Sequence, residues 1–156
     1  MFTADAAPWL AVALRGLALA TWFGGGIATM LATSAVFARA ESRKVAGDFA
    51  GAILRRTNLL RDAAVVVFVV SALLGARGGT TWFGVVCLVF QLAAIPVDAA
   101  TRKLRRDVGG DIDALARDDA RRRRFGALHG IAMLLLLLQT VVAGAGIVSR
   151  AGVLLQ

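Results

Sequence analysis

Apolar residues occur along the chain in four long blocks that are separated by charged segments. Their limits are about Pro8–Phe37, Ala63–Ala76, Trp82–Ala100 and Phe125–Val148. About 20 helical residues, rising ~1.5 Å each, cross the ~30 Å hydrocarbon core of a bilayer. Such runs favour membrane helices over buried strands, because in lipid each segment must satisfy its own backbone hydrogen bonds. The pattern predicts an all-α integral membrane protein, an up-and-down four-helix bundle that forms one domain over residues 1–156.

We expect spans at about residues 9–37, 59–76, 82–100 and 125–148. The second apolar block is short for a span, so we extend it back to Leu59, which leaves Arg61 and Asp62 near the inner surface. In the connection 38–58, Val45 and Phe49 recur at helical spacing among charged residues. This spacing predicts an amphipathic helix on the membrane surface.

Charge decides the expected orientation. Fifteen of the 18 lysine and arginine residues lie in or beside the two long connections, 38–58 and 101–124; the other three are Arg15, Arg77 and Arg150. Cytoplasmic loops carry the excess of basic residues. We therefore expect these connections in the cytoplasm and both termini outside, with the protein in a bacterial cytoplasmic (inner) membrane. We expect contacts to anionic headgroups or to a partner from six arginines: Arg55, Arg56, Arg121, Arg122, Arg123 and Arg124.

Composition removes several classes of function. The chain has 156 residues, 58% of them hydrophobic, and a formal net charge of +8. Basic membrane loops account for that charge, so we expect no nucleic-acid partner. One histidine, one cysteine and three methionines make a poor transition-metal site, and no phosphate-binding glycine loop is present. We expect no metal, no cofactor and no catalytic site, and hence no enzyme.

Ionisable residues at membrane depth are the default candidates for function. Asp98 lies at the inner end of the third expected span, and His129 lies about one turn into the fourth. They fit a carboxylate–imidazole pair that moves a proton. The alternative is that Asp98 faces the headgroups and His129 bonds to a neighbouring helix.

Two further groups of residues fit contacts between helices. Gln91, Gln139 and Arg15 are polar side chains in or near the spans, and they fit either interhelical hydrogen bonds or an outer polar cluster. The glycines of the first and fourth spans allow close approach of another helix, or of a ligand to bare backbone: Gly24, Gly25, Gly26, Gly144 and Gly146.

Two segments carry a family resemblance: the first span with Trp22-Phe23-Gly24-Gly25-Gly26, and Phe125-Gly-Ala-Leu-His129-Gly130 at the start of the fourth. With four spans and a long basic loop before the last, the chain resembles the transmembrane protein 205-like family, over about residues 9 to 150. In bacteria this family is a membrane domain of unknown function. The resemblance implies the four-span fold and brings no established chemistry, only a link of the eukaryotic member to drug tolerance and membrane traffic.

Two functions follow as hypotheses. The first is a non-catalytic accessory or scaffolding subunit of a membrane assembly, or a homo-oligomer, that packs through its glycine-rich helix faces. The second is an oligomeric transporter or permeation element for a small molecule or ion, in which Asp98 and His129 couple transport to protons. The partners expected in either case are the bilayer, with its anionic inner leaflet, and other membrane subunits or further copies of the chain.

Overall fold

The computed structural model describes residues 6–75 and 78–154, with the side chains of residues 8–75 and 78–149. This part of the chain forms four helices: α1 Ala6–Arg39, α2 Arg43–Leu73, α3 Thr81–Asp107 and α4 Ala120–Leu154. The prediction of an all-helical chain with four helices is confirmed. Arg77 and the side chain of Arg150, both expected outside the membrane, lie beyond the described residues.

Three of the four helices are long and apolar enough to cross a membrane: Pro8–Arg39 within α1, α3 over Thr81–Asp107, and Ala120–Ser149 within α4. Helix α2 is not one of them, although it has 31 residues. Its first half is charged, and the apolar block that follows runs for only 14 residues, from Ala63 to Ala76.

Local signals explain where the helices begin and end. Ser42 caps α2 by accepting a hydrogen bond from the backbone N–H of Val45 at 3.2 Å. Asp119 does the same for α4, accepting from the N–H of Arg121 at 2.7 Å. Glycines with positive φ follow the C-terminal ends of α2 and α3: Gly75 (+85°) after α2, and Gly109 (+71°) with Gly110 (+89°) after α3. The amphipathic segment that we expected as a separate surface helix is thus the first half of α2.

The helices pack unevenly. Helix α1 packs along α2 and also against α4, and α3 packs along α4, whereas α2 and α3 touch little. The core joins all four helices and contains Ala18, Leu19, Trp22, Ala64, Phe68, Cys87 and Ala143. The rings of Trp22 and Phe68 lie 5.8 Å apart, at 55°. The bundle is therefore closed on three sides and open between α2 and α3.

The candidate glycines differ in what surrounds them. A methyl group at Gly26 would collide with Thr140 of α4, and one at Gly146 would lie 2.9 Å from Phe83 Cβ of α3. At Gly144 it would lie 3.0 Å from the ring of Phe23, and at Gly25 3.7 Å from Thr57 Cγ2. Gly24 has nothing within 4 Å. These close approaches join helices of the same chain.

Candidate functional site

A buried arginine lies at the centre of the bundle. Arg61 of α2 is only 4% exposed. Its Nε donates a hydrogen bond to Gln139 Oε1 of α4 at 3.0 Å, a second donation to the same oxygen comes from Nη2, and Nη1 donates to Asn58 Oδ1 at 2.9 Å. The backbone carbonyl of Arg61 accepts from the indole N–H of Trp22 at 3.2 Å. The guanidinium thus links α2 to α4, while α1 bonds to the backbone at the same level.

Gln139 carries the network from α4 to α3. It is fully buried, and its Nε2 donates to the backbone carbonyl of Cys87 at 2.8 Å and to Gln91 Oε1 at 3.3 Å. The Cys87 thiol donates in return to the backbone carbonyl of Gln139 at 3.6 Å. Two residues that we predicted as intramembrane polar contacts, Gln91 and Gln139, are therefore hydrogen-bonded to each other.

Two carboxylates, one on α2 and one on α3, form hydrogen bonds across the gap between these helices. Gln91 Nε2 of α3 donates to Asp62 Oδ1 of α2 at 2.6 Å. Asn58 Nδ2 of α2 donates to Asp98 Oδ2 of α3 at 2.9 Å. Each hydrogen bond uses one oxygen of its carboxylate, so the other oxygen remains available to a further donor.

These carboxylates line a groove of about 310 Å³ along the open side of the bundle. Its volume lies at the lower end of the range for small-molecule sites. The lining mixes charged, amide and apolar side chains: Arg55, Asn58, Leu59, Asp62, Gln91, Ala94, Ile95, Asp98 and Arg102. No ion pair or hydrogen bond within the described chain engages the guanidinium groups of Arg55 and Arg102. The groove can thus offer both acceptors and cationic donors to a ligand.

The structure does not bring Asp98 and His129 together. The Asp98 carboxylate bonds to Asn58, whereas the His129 side chain is exposed and its ring stacks on Phe125 at 6.1 Å, within the same helix. Asp98 belongs to the groove and His129 does not, so the geometry supplies no carboxylate–imidazole proton pair.

Arg15 lies near the end of the bundle where α3 begins. It is 5% exposed and donates to the hydroxyl of Thr81 at the start of α3. Interhelical hydrogen bonding was one of the two alternatives that we predicted for Arg15, and its bond to Thr81 connects α1 with α3. It joins these helices outside the groove.

The arginines that we expected to contact headgroups or a partner fall into two sets. Arg121 and Arg122 are used within the chain: Arg121 pairs with Asp119 at 2.7 Å, and Arg122 pairs with Asp113 at 2.9 Å. Hydrogen bonds from Arg121 lower the pKa of Asp119 to about 2. The other four are exposed, and their side chains make no polar contact within the described chain: Arg55, Arg56, Arg123 and Arg124.

The sequence did not predict that Arg105 of α3 contacts the first turns of α2. Its Nη1 donates to the backbone carbonyl of Gly47 at 3.0 Å and its Nη2 to Asp48 Oδ1 at 2.7 Å. Its Nε also donates to the carbonyl of Gly110 at 3.3 Å. Arg105 thus connects the start of α2 with the end of α3. This contact places the two long connections at the same end of the bundle.

Sequence reasoning also missed Arg61, Asp62 and Asn58 as members of the site, because it counted them with the inner surface. One signal pointed to them: the second apolar block was too short to cross a bilayer without them. No group of three potential metal-ligating side chains (histidine, cysteine, aspartate or glutamate) occurs within the described residues. Comparisons with protein-family models, with curated proteins and with solved structures give no match for the chain.

Proposed function

We propose that the chain is a four-pass membrane protein in which α2 crosses the bilayer beside the three apolar helices. The support is its packing: α2 lies along α1, and the core that it shares with α1, α3 and α4 contains Ala64 and Phe68. The side chains that make α2 polar do not all face lipid. Arg61 is buried, and Asp62 bonds to Gln91. Polar groups at membrane depth are tolerated when they pair inside the bundle.

The proposed orientation puts both termini outside a bacterial cytoplasmic membrane. The two basic connections lie at the same end of the bundle, joined through Arg105 to Gly47 and Asp48. The Arg15–Thr81 contact lies near the opposite end. A concentration of basic residues at one end favours that end as the cytoplasmic one.

The function that the geometry supports best is binding of a small polar molecule in the groove between α2 and α3, as the site of a membrane transport or permeation element. The observation that carries this proposal is the groove itself, about 310 Å³ and lined by Asp62, Asp98, Arg55 and Arg102. Charged side chains at this depth are costly unless they pair inside the bundle or are solvated by water or a ligand, and the guanidinium groups of Arg55 and Arg102 are unpaired within the described chain. Asp98 lines the proposed site, whereas His129 lies outside it and has no role in this proposal.

Thiol reactivity tests whether the groove is hydrated. Ile95 lines the groove, whereas Ala93 is exposed on the same helix two residues away and does not line it. In a chain in which Cys87 is replaced by alanine, Ile95→Cys should react many-fold faster than Ala93→Cys with a hydrophilic thiol reagent added from the cytoplasmic side. Equal, slow reaction of both variants would mean that the groove is dry, and it would refute a polar-solute site.

The accessory-subunit hypothesis remains a second proposal because of the same open side. Leu59 and Leu60 are 70% and 60% exposed on α2, and a helix of a partner subunit has room to pack there. The reactivity of Ile95→Cys separates the two proposals. A solute site predicts that Ile95→Cys reacts in native membranes and after purification alike. A partner helix predicts protection in native membranes that is lost when the chain is purified alone.

A further inference from the structure

The charged groups of the groove follow a definite order along its length. Arg55 and Arg102 lie at the end nearer the basic connections, followed by the Asn58–Asp98 pair and then by Asp62 with Gln91. At ~1.5 Å per residue, Asp98 lies ~6 Å beyond Arg102 along α3, and Asp62 lies ~10 Å beyond Arg55 along α2. A ligand that enters from the basic end meets two cations first and two carboxylates afterwards.

Arg61 attracts both carboxylates through space, but the hydrogen-bond donors that they receive within the described chain are neutral amides. The buried cation nearby, Arg61, directs its hydrogen bonds to Gln139 and Asn58 rather than to either carboxylate. Asp62 and Asp98 each receive one neutral amide donor, from Gln91 and Asn58. A carboxylate gains more from a charged donor than from a neutral one.

The order of charges also selects among ligands. A purely cationic ligand meets the repulsion of Arg55 and Arg102 at the entrance, and a purely anionic one meets Asp98 and Asp62 further in. A phospholipid of the inner leaflet has its chains toward the membrane centre, so a phosphate at the two arginines would put acyl chain beside the carboxylates. A small free molecule with an amine at its leading end and an acid at the other satisfies both pairs.

Building on the proposed polar-solute site, we infer that the groove binds a small zwitterion, with its ammonium group on Asp98 and Asp62 and its carboxylate or phosphate group on Arg55 and Arg102. The offsets of ~6 Å and ~10 Å along the helices, each shortened by two charge-assisted hydrogen bonds of ~2.8 Å, favour a short ligand with only a few bonds between its two charged groups. Short ω-amino acids have that spacing. The apolar side chains of Leu59, Ala94 and Ile95 line the groove alongside its charged groups.

Three probes of matched length test this inference on the purified full chain: γ-aminobutyrate, butylamine and butyrate. Ligands that bind the folded state raise the thermal unfolding midpoint. We expect a saturable rise with γ-aminobutyrate that exceeds the rise with either singly charged probe. Asp98→Asn and Arg102→Gln should each abolish most of the rise, while Arg123→Gln, outside the groove, should leave it unchanged.

Other outcomes overturn the inference in distinguishable ways. An equal rise with butylamine, lost in Asp98→Asn, would make the groove a cation site, so the zwitterion would be refuted and the polar-solute site retained. If no probe raised the unfolding midpoint and Ile95→Cys were also unreactive, both the zwitterion ligand and the polar-solute site would be refuted. Native mass spectrometry that finds a phospholipid retained by the wild-type chain and lost in Arg102→Gln would assign the groove to a lipid headgroup instead.

Discussion

Gly24 and Gly26 show how two glycines two residues apart can differ in role. A methyl group at Gly24 meets nothing within 4 Å, whereas at Gly26 it collides with Thr140 of α4. Sequence alone gave both the same role in helix packing, because the facing helix that separates them is known only from the fold.

Alanine substitution of these two glycines should therefore give opposite results. Gly26→Ala should lower the free energy of unfolding in detergent by ~1–3 kcal/mol, the usual cost of overpacking. Gly24→Ala should leave it unchanged or raise it by up to ~1 kcal/mol, because alanine favours the helix. Combining Gly26→Ala with Thr140→Ala should restore much of the loss. Equal effects at Gly24 and Gly26 would argue against the α1–α4 contact.

Gln139 is the residue on which the buried network depends most. It accepts from Arg61 and donates to Cys87 and Gln91, and it has no exposed surface. Gln139→Leu should destabilise the protein by ~1–3 kcal/mol, because buried donors lose their acceptor. Val141→Ala, on the exposed side of the same helix, is the matched control in the same unfolding measurement. If Gln139→Leu were no more harmful than Val141→Ala, Arg61 would not depend on this bond.

At the scale of the helix, α2 shows which features of the fold the sequence predicts and which it does not. Apolar blocks revealed four helices and their approximate positions, because hydrophobicity dominates segments such as the one around Leu136 in α4. They did not reveal that α2 starts at Arg43 and buries Arg61. Burial of a charge depends on acceptors from other helices, here Gln139, and no local pattern reports which helices meet.

Arg105 connects the start of α2 with the end of α3, at the end of the groove nearer the basic connections. Removing it in Arg105→Ala deletes its hydrogen bonds to Gly47, Asp48 and Gly110. Hydrogen exchange of backbone amides in residues 43–57 should then become faster, because local opening costs less. Arg106→Ala, which changes an exposed neighbour, should leave exchange in that segment unaltered. Similar exchange in both variants would show that the first half of α2 does not rely on Arg105.

At the scale of the whole molecule, the proposed site depends on whether α2 crosses the membrane. Three helices are apolar enough to cross a membrane, and α2 packs along α1 with Arg61 buried and with Arg55 and Asp62 lining the groove. If α2 crosses, the polar groove lies within the bilayer, and Asp62 and Asp98, which accept from the amides of Gln91 and Asn58, can accept a further donor there. If α2 lies outside, the same groove is an ordinary hydrated surface and the functional proposals lose their basis.

Labelling of the two ends of α2 tests this claim most directly. In a chain with Cys87→Ala, Glu41→Cys precedes α2 and Gly79→Cys follows it, and both positions are exposed. A membrane-impermeant maleimide applied to intact spheroplasts should label Gly79→Cys at once and Glu41→Cys only after the membrane is opened. Labelling of both from the same side would contradict four crossings.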